Sequence, residues 1–254
     1  MINLTFDSWE EFSKAIKGGA AADRMLESSL DSGLGYRIVS QYRKDPNNEL
    51  ARLCDHYGSD KGELQPGGHP YPWRSHTYTD YYSRLFAHSR NSILKVFECG
   101  IGTNDPALPS SMGVNGKPGA SLRVWRDYFP NAIIWGADID EKCLFQEERI
   151  RTHYVDQLNA NSIQEFWKWV GVQDFDFIVD DGLHTFEAGL SLFLNSIEHL
   201  SPSGIYVIED VYMRDLLRYK EFFKDTKFLV DYVILSGINL GFGDNNLVVV
   251  RKSS

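Results

Sequence analysis

Cysteine is scarce in this chain, with 3 among 254 residues. Cys54, Cys99 and Cys143 stand far apart and form no Cys-x-x-Cys pair. A disulfide framework and a zinc–thiolate site are therefore not expected, and a reducing compartment fits. Long apolar runs are missing as well. No stretch approaches the roughly 18 apolar residues of a spanning helix. Met1 to Asp7 hold no basic segment leading into an apolar one, so the expectation is a cytoplasmic protein with no membrane partner. Positive charge is also in short supply, since 26 Lys and Arg against 35 Asp and Glu leave a formal net charge of −9. Without a basic stripe to neutralise phosphates, no nucleic-acid partner is expected. Internal repeats and low-complexity segments are absent.

What is present is an ordinary globular composition, 43% hydrophobic and 24% charged, long enough to bury a sizeable core. Residues 1 to 45 read as a helical N-terminal extension. Asp7-Ser8-Trp9-Glu10 resembles a capping box leading into Trp9, Phe12 and Ile16, and Gly18-Gly19 ends it. A cap or dimerisation arm and plain packing at a sheet edge are both open for this segment. The main domain then covers residues 46 to 254. It begins with a helix from Glu49 to Tyr57, followed by a loop over about 57 to 82 that is rich in Gly, Pro, His and aromatics. A structureless stretch of that length is usually functional, so a lid is expected there.

From Ile93 onward β and α patterns alternate. Strands are expected over Leu94–Cys99, Ala132–Ala137, Arg149–Val155, Phe175–Asp180, Ile205–Glu209, Phe228–Leu235 and Asn246–Val250. Helical periodicity separates them, as in Leu122, Trp125, Tyr128 and in Ile163, Phe166, Trp167, Val170. This order implies an α/β fold, a Rossmann-like doubly wound sheet of seven mostly parallel strands.

Several of these strands end in acids. Phe175 to Val179 runs into Asp180-Asp181-Gly182-Leu183-His184, and Ile205 to Ile208 runs into Glu209-Asp210. Ligands bind outside the carboxyl ends of strands in such sheets. Two neighbouring strands would bring Asp181, Glu209 and Asp210 together, and packed carboxylates repel unless a cation joins them. Hard oxygen donors suit Mg²⁺ or a similar divalent ion and not Zn²⁺. The turn Gly100-Ile101-Gly102 after the first strand lets backbone approach a ligand, and Asp138 at the second strand end suits the two hydroxyls of a ribose. It is not Gly-x-Gly-x-x-Gly, because Thr103-Asn104-Asp105 follows and the next helix opens only near Gly119. That departure counts against a nicotinamide-dependent oxidoreductase.

Taken in order, Tyr57-Gly58-Ser59-Asp60-Lys61, His76-x-Tyr78-x-x-Tyr81, Glu98-x-Gly100-Ile101-Gly102, Gly119-Ala120-Ser121-Leu122-x-x-Trp125, Gly136-Ala137-Asp138-Ile139-Asp140, Asp156-Gln157, Asp180-Asp181-Gly182-Leu183-His184 and Ile208-Glu209-Asp210 resemble the class I S-adenosylmethionine methyltransferases. Within that class they are similar to the metal-dependent sugar O-methyltransferases of macrocin and mycinamicin type. The resemblance covers roughly residues 48 to 215. It implies methyl transfer to a sugar hydroxyl, with S-adenosyl-L-methionine and Mg²⁺ or another divalent cation. The acceptor would be a small carbohydrate-bearing molecule: a nucleotide sugar, a surface-polysaccharide unit or a glycosylated natural product. Asp181, Glu209 and Asp210 would ligate the ion and His184 would be the base. Glu98, Gly100, Gly102, Asp138, Ile139, Asp156, Gln157 and Asp180 would lie on the cofactor side. Asp60, Lys61, His76, Tyr78 and Tyr81 would face the acceptor from the lid. The group also tends to assemble, which implies a homo-oligomer. Where this family often has Ser, this chain has Leu183, and its insertion over 103 to 117 is longer than usual.

Two other readings stay open at this stage. A metal-dependent hydrolase could use the same carboxylates but would not need the glycine turn or Asp138. A non-catalytic adenosine-binding module would bind cofactor without transferring a methyl group.

Overall fold

The structure is a computed structural model that describes residues 36–40, 45–67, 69–235 and 243–253. The helical expectation for residues 1 to 35, with its capping box, lies outside the described residues. Tyr36–Ser40 falls in the stretch expected to be helical and is instead a strand.

In chain order the elements are β1 (Tyr36–Ser40), α1 (Glu49–Tyr57), α2 (Tyr78–Leu85), β2 (Lys95–Cys99), α3 (Ala120–Tyr128), β3 (Ile133–Asp138), β4 (Gln146–Glu147), β5 (Ile150–Tyr154), α4 (Ala160–Val170), β6 (Phe175–Asp180), α5 (Phe186–Ser196), β7 (Leu200–Ile208), α6 (Met213–Phe223), β8 (Phe228–Ile234) and β9 (Asn246–Lys252). They form one sheet of order β1-β8-β9-β7-β6-β2-β3-β5-β4. All seven expected strands are there, and β1 and the two-residue β4 extend the two edges. The pairs β2–β3, β3–β5, β2–β6 and β6–β7 are parallel, while β9 runs antiparallel to both β7 and β8. Among the described residues no helix is long and apolar enough to cross a membrane.

The strands are apolar on both faces because helices cover both, as doubly wound sheets require. Alternation along each strand divides the side chains between two cores. Val96, Ile134, Phe177, Val179 and Val207 pack with Leu50 of α1, Tyr82 of α2 and Trp125 of α3. Phe97, Trp135, Ile178, Tyr206 and Ile208 pack on the other face with Phe166 of α4, Phe193 of α5 and Tyr219 of α6. Helix ends follow local chemistry: the Asn159 side chain accepts from the backbone N–H groups of Asn161 and Ser162 to start α4, and left-handed Gly171 stops it.

One expectation is corrected here. The aromatic cluster read as the end of the lid is mostly helix α2, where Tyr78, Tyr81 and Tyr82 are buried. Their spacing is helical, and their rings serve the core beside α1 and α3.

The winding fixes the place for a site. From β2 the chain moves outward to β3 and β5, then returns to β6 and β7 on the other side of β2. The crevice of a doubly wound sheet opens at that reversal, between the carboxyl ends of β2 and β6. Cys99 and Asp180 are register partners there, so Gly100 and Asp181 leave the sheet side by side.

Candidate active site

Gly100 shows how closely the two strand ends meet. Its φ is +88°, and a Cβ there would sit 2.0 Å from the carbonyl oxygen of Asp181. Only glycine fits, by conformation and by space. The Asp181 N–H donates to the Cys99 carbonyl at 2.8 Å, which fastens the acid strand end to the glycine turn.

Around this junction lies a cavity of about 470 Å³, within the ordinary range for a small-molecule site. One end is lined by Gly100, Gly102, Asp138, Ile139, Asp156 and Gln157, and the other by Asp181, His184 and Asp210. At the first end the Asp138 carboxylate accepts from the N–H groups of Ile101 at 2.9 Å, Gly102 at 3.2 Å and Asp140 at 3.0 Å. Burial raises its pKa, and those N–H bonds work against the rise. Ile139 and Leu158 are large, half-exposed apolar side chains on the cavity wall, suited to the faces of a flat heterocycle. Gln157 is already committed: it donates to Asp180 Oδ1 at 2.6 Å and accepts from the Leu183 N–H at 2.9 Å. It thus ties the cofactor-side loop to the loop that carries His184.

At the second end three ligand-type atoms converge. Atoms of Asp181, His184 and Asp210 all lie within 4.8 Å of one another. His184 Nε2 is 3.4 Å from Asp181 Oδ1 and 3.4 Å from Asp210 Oδ2, yet it is buried with no hydrogen-bond partner among the described residues. Burial alone would lower the His184 pKa, but Asp210 and Asp181 outweigh it and push it up to about 10. Both His184 (φ +57°) and Asp210 (φ +52°) hold left-handed backbone, unusual away from glycine. Two hard carboxylate oxygens and an imidazole nitrogen turned toward one gap fit a divalent ion. A second group, His76, Asp210 and Asp244, also lies within 4.8 Å and shares Asp210.

Glu209 belongs to neither group. It is 1% exposed, with one carboxylate oxygen on the Lys61 ammonium and the other accepting from the Tyr82 hydroxyl at 2.5 Å. Strand alternation explains the turn inward, because Glu209 follows Val207 on the α1–α3 face. Glu98 obeys the same parity and does not line the cavity. It accepts from Trp125 Nε1 at 2.7 Å and lies 3.2 Å from Lys61 Nζ, behind the cavity wall. Asp180, one residue before Asp181, falls on the opposite face and away from the cavity. Burial pushes its pKa up to about 7, against bonds from Gly182 and Gln157.

The lid residues divide. Asp60 lines the cavity and accepts from Trp73 Nε1 at 2.6 Å, and Trp73 stacks on Tyr71 with ring centroids 4.9 Å apart. His76 also lines it, with Nε2 3.2 Å from Asp210 Oδ1. Tyr78 and Tyr81 do not reach it. Tyr78 donates instead to Asp210 Oδ1 at 2.8 Å, from beneath the site. Lys61 lines the cavity too, but its side chain is only 3% exposed and its ammonium is taken up by Asp181, Glu98 and Glu209. The sequence reading also missed the insertion's part. Met112 packs over Gly102 and contacts the Tyr71 hydroxyl at 3.3 Å, so residues of 103 to 117 form a wall of the cavity. Asn245 was missed too; it accepts from the Thr77 N–H at 3.1 Å and lies 3.3 Å from His76 Nδ1.

No protein-family profile matches the chain. Among curated proteins it is 33% identical to the 8-demethyl-8-alpha-L-rhamnosyl tetracenomycin-C 2'-O-methyltransferase of Streptomyces olivaceus, over 64% of this chain and 37% of that protein. It is 36% identical to demethylmacrocin O-methyltransferase of Streptomyces fradiae, over 55% of this chain and 33% of the relative. It is 31% identical to L-olivosyl-oleandolide 3-O-methyltransferase of Streptomyces antibioticus, over 74% and 44%. The chain therefore spans less than half the length of these relatives. Among solved structures, the MycE methyltransferase of the mycinamycin biosynthetic pathway, in complex with Mg and SAH, matches with a TM-score of 0.59 and 25% identity, over 83% of this chain and 55% of that one. A complex of the same methyltransferase that also holds mycinamycin VI matches with a TM-score of 0.59. The chain has the class I methyltransferase fold, and its resemblance to the macrocin- and mycinamicin-type sugar O-methyltransferases is borne out.

Proposed function

We propose that this chain transfers the methyl group of S-adenosylmethionine to a hydroxyl of a sugar-bearing small molecule, with a divalent ion beside the cofactor. The supporting observation is the single cavity of about 470 Å³ that joins the glycine turn to the Asp181–His184–Asp210 gap. The relatives named above act on glycosylated natural products, which favours that acceptor class over nucleotide sugars or polysaccharide units.

Asp138, Ile139, Leu158 and the Gly100–Gly102 backbone would receive the nucleoside, and Asp156 stands at the same end. Asp181 and Asp210 would hold the ion, with Glu209 contributing only through lone pairs that Lys61 and Tyr82 leave over. When bound, the cofactor supplies an electrophilic methyl group, and a divalent cation supplies the charge that makes a sugar hydroxyl acidic enough to attack. The protein's task is then alignment and proton transfer. His184 Nε2 faces the gap and is the atom placed to take the hydroxyl proton. With its pKa near 10, His184 carries that proton already at neutral pH while Asp181 Oδ1 and Asp210 Oδ2 face it. Neutralising those two carboxylates is what frees Nε2 to act as a base. Trp73, Tyr71 and His76 form the wall opposite, where flat aromatic faces exclude water and suit the apolar face of a sugar.

The test is direct. The purified protein is given S-adenosylmethionine, Mg²⁺ and a panel of glycosylated macrolides and nucleotide sugars, and S-adenosylhomocysteine is measured with its methylated partner. Product that disappears with EDTA supports the reading. Tight cofactor binding with no methyl transfer to any sugar, or transfer indifferent to EDTA, contradicts it. A homo-oligomer is part of the proposal, and light scattering on the purified protein checks it.

A further inference from the structure

Lys61 is the most enclosed cation described in the molecule and stands at its most acidic point. Its side chain is 3% exposed, and its ammonium meets Asp181 Oδ2 at 2.6 Å, Glu98 Oε1 at 3.2 Å and one oxygen of Glu209. Three carboxylates gathered on one ammonium in the interior make a paired, enclosed charge cluster.

The chain goes to some length to put it there. Helix α1 ends at Gly58, and the Ser59-Asp60-Lys61 turn is then driven down onto the sheet. Gly62 allows this, since a Cβ on it would lie 1.9 Å from Thr79 Oγ1 of α2. The Lys61 carbonyl accepts from the Thr79 N–H at 3.1 Å, and the Asp60 carbonyl from the His76 N–H at 2.7 Å. The lysine is thus fixed by backbone on both sides.

Its effect on Asp181 is geometric. One Asp181 oxygen, Oδ2, is held by Lys61, while the other, Oδ1, faces His184 Nε2 and the gap shared with Asp210. Glu98 and Glu209 anchor the ammonium from behind, and both of them are turned away from the cavity. We propose that Lys61 is a positioning residue for the divalent-ion site, an internal counter-ion that locks the Asp181 carboxylate with Oδ1 toward the ion. The inference rests on the ion reading above.

Replacing Lys61 by Met removes the lock but leaves Asp181, Asp210 and His184 in place. Outer-shell partners of metal ligands are worth about 10–100-fold in metal affinity. Lys61→Met is therefore expected to weaken Mn²⁺ binding, followed by the electron paramagnetic resonance of free Mn²⁺, by at least ~10-fold. Calorimetric affinity for S-adenosylhomocysteine in EDTA should stay within about twofold of wild type, because the cofactor residues lie at the other end of the cavity. A merely structural lysine would move both affinities together or neither. Should Lys61→Met fail to fold, Lys61→Arg decides: it keeps the charge but not the compact ammonium, and weaker Mn²⁺ binding is again expected. Unchanged Mn²⁺ affinity in a folded variant overturns the inference. Tighter binding also overturns it, since the ammonium would then be a competitor of the ion. Wild-type protein that binds no Mn²⁺ overturns the ion reading itself, and this inference with it.

Discussion

At the end of β3 the Asp138 carboxylate takes three backbone N–H bonds, and the left-handed positions beside it, Gly100 and Gly102, are glycines. At the ends of β6 and β7 the situation is reversed. His184 and Asp210 adopt left-handed backbone with side chains attached, at a cost of about 1–3 kcal/mol each. Among the described residues His184 Nε2 makes no hydrogen bond, and the facing oxygens of Asp181 and Asp210 stand 3.4 Å from it. The cofactor half is built from satisfied backbone and can stand without its ligand. The ion half keeps backbone strain and an imidazole nitrogen held between two carboxylates, and it gains most from a bound cation. Binding energy and chemistry are thus segregated along one cavity, with Gly100 at the seam.

Substitutions can break that contrast. Asp181→Ala removes the carboxylate that both Lys61 and His184 face, and turnover should fall by ~10³-fold or more while S-adenosylhomocysteine still binds. Activity and calorimetry on the same preparation check it; a large loss of cofactor affinity would erase the division between the halves. His184→Ala should cost at least ~10²-fold in turnover with the Michaelis constant for cofactor little changed. A near-normal rate would demote His184 to a structural residue. Gly100→Ala acts on the seam, forcing left-handed backbone on alanine and a clash with the Asp181 carbonyl. Thermal or denaturant unfolding should show a loss of roughly 3 kcal/mol or more, with metal and cofactor affinity falling together. A tolerated substitution would mean that the two strand ends are less closely joined than described.

The smallest expected effect is a pH dependence, and it sharpens the account of the ion half. In EDTA the folded-state pKa of His184, about 10, lies above its ordinary value of 6.5. Its stabilising contribution is full below about pH 6.5 and is lost as pH rises toward 10. Asp180 works in the same direction lower down, because raising its pKa from 3.8 to about 7 means that stability is lost as pH rises between those values and levels off above about 7. Melting temperature in EDTA should therefore decline from pH 6 to 10, and His184→Ala should flatten the upper part of the curve. The partial exposure of His184, 29% for its side chain, keeps the change modest. A curve that rises over this range would contradict the assignment.

Much of this was legible in the chain because strand ends announce themselves. Apolar runs that stop in Asp180-Asp181 and Glu209-Asp210 can belong only to buried strands opening on a crevice. What was not legible is which face each acid takes. Period-two alternation puts Asp180 and Asp181 on opposite faces, and it sends Glu98 and Glu209 toward α1–α3. That alternation is visible in the sequence, and it sets Glu98 behind the cavity wall. The fate of Lys61 was beyond local pattern altogether. An Asp-Lys pair between two glycines reads as an exposed turn. Only the packing of Gly62 against Thr79 and the three carboxylates below convert it into a buried ion. Tyr78 and Tyr82 misled for a related reason, since aromatic richness suggests a lid while their hydroxyls bond Asp210 and Glu209 from within the core.

One experiment bears most directly on the pairing of cofactor and ion in a single crevice. It is a crystal grown with S-adenosylhomocysteine and Mn²⁺, with anomalous scattering recorded for the metal. The account expects a manganese peak between Asp181 and Asp210, with the nucleoside against Asp138, Ile139 and Leu158. A peak confined to His76, Asp210 and Asp244, or a nucleoside bound with no manganese near Asp181, would contradict it.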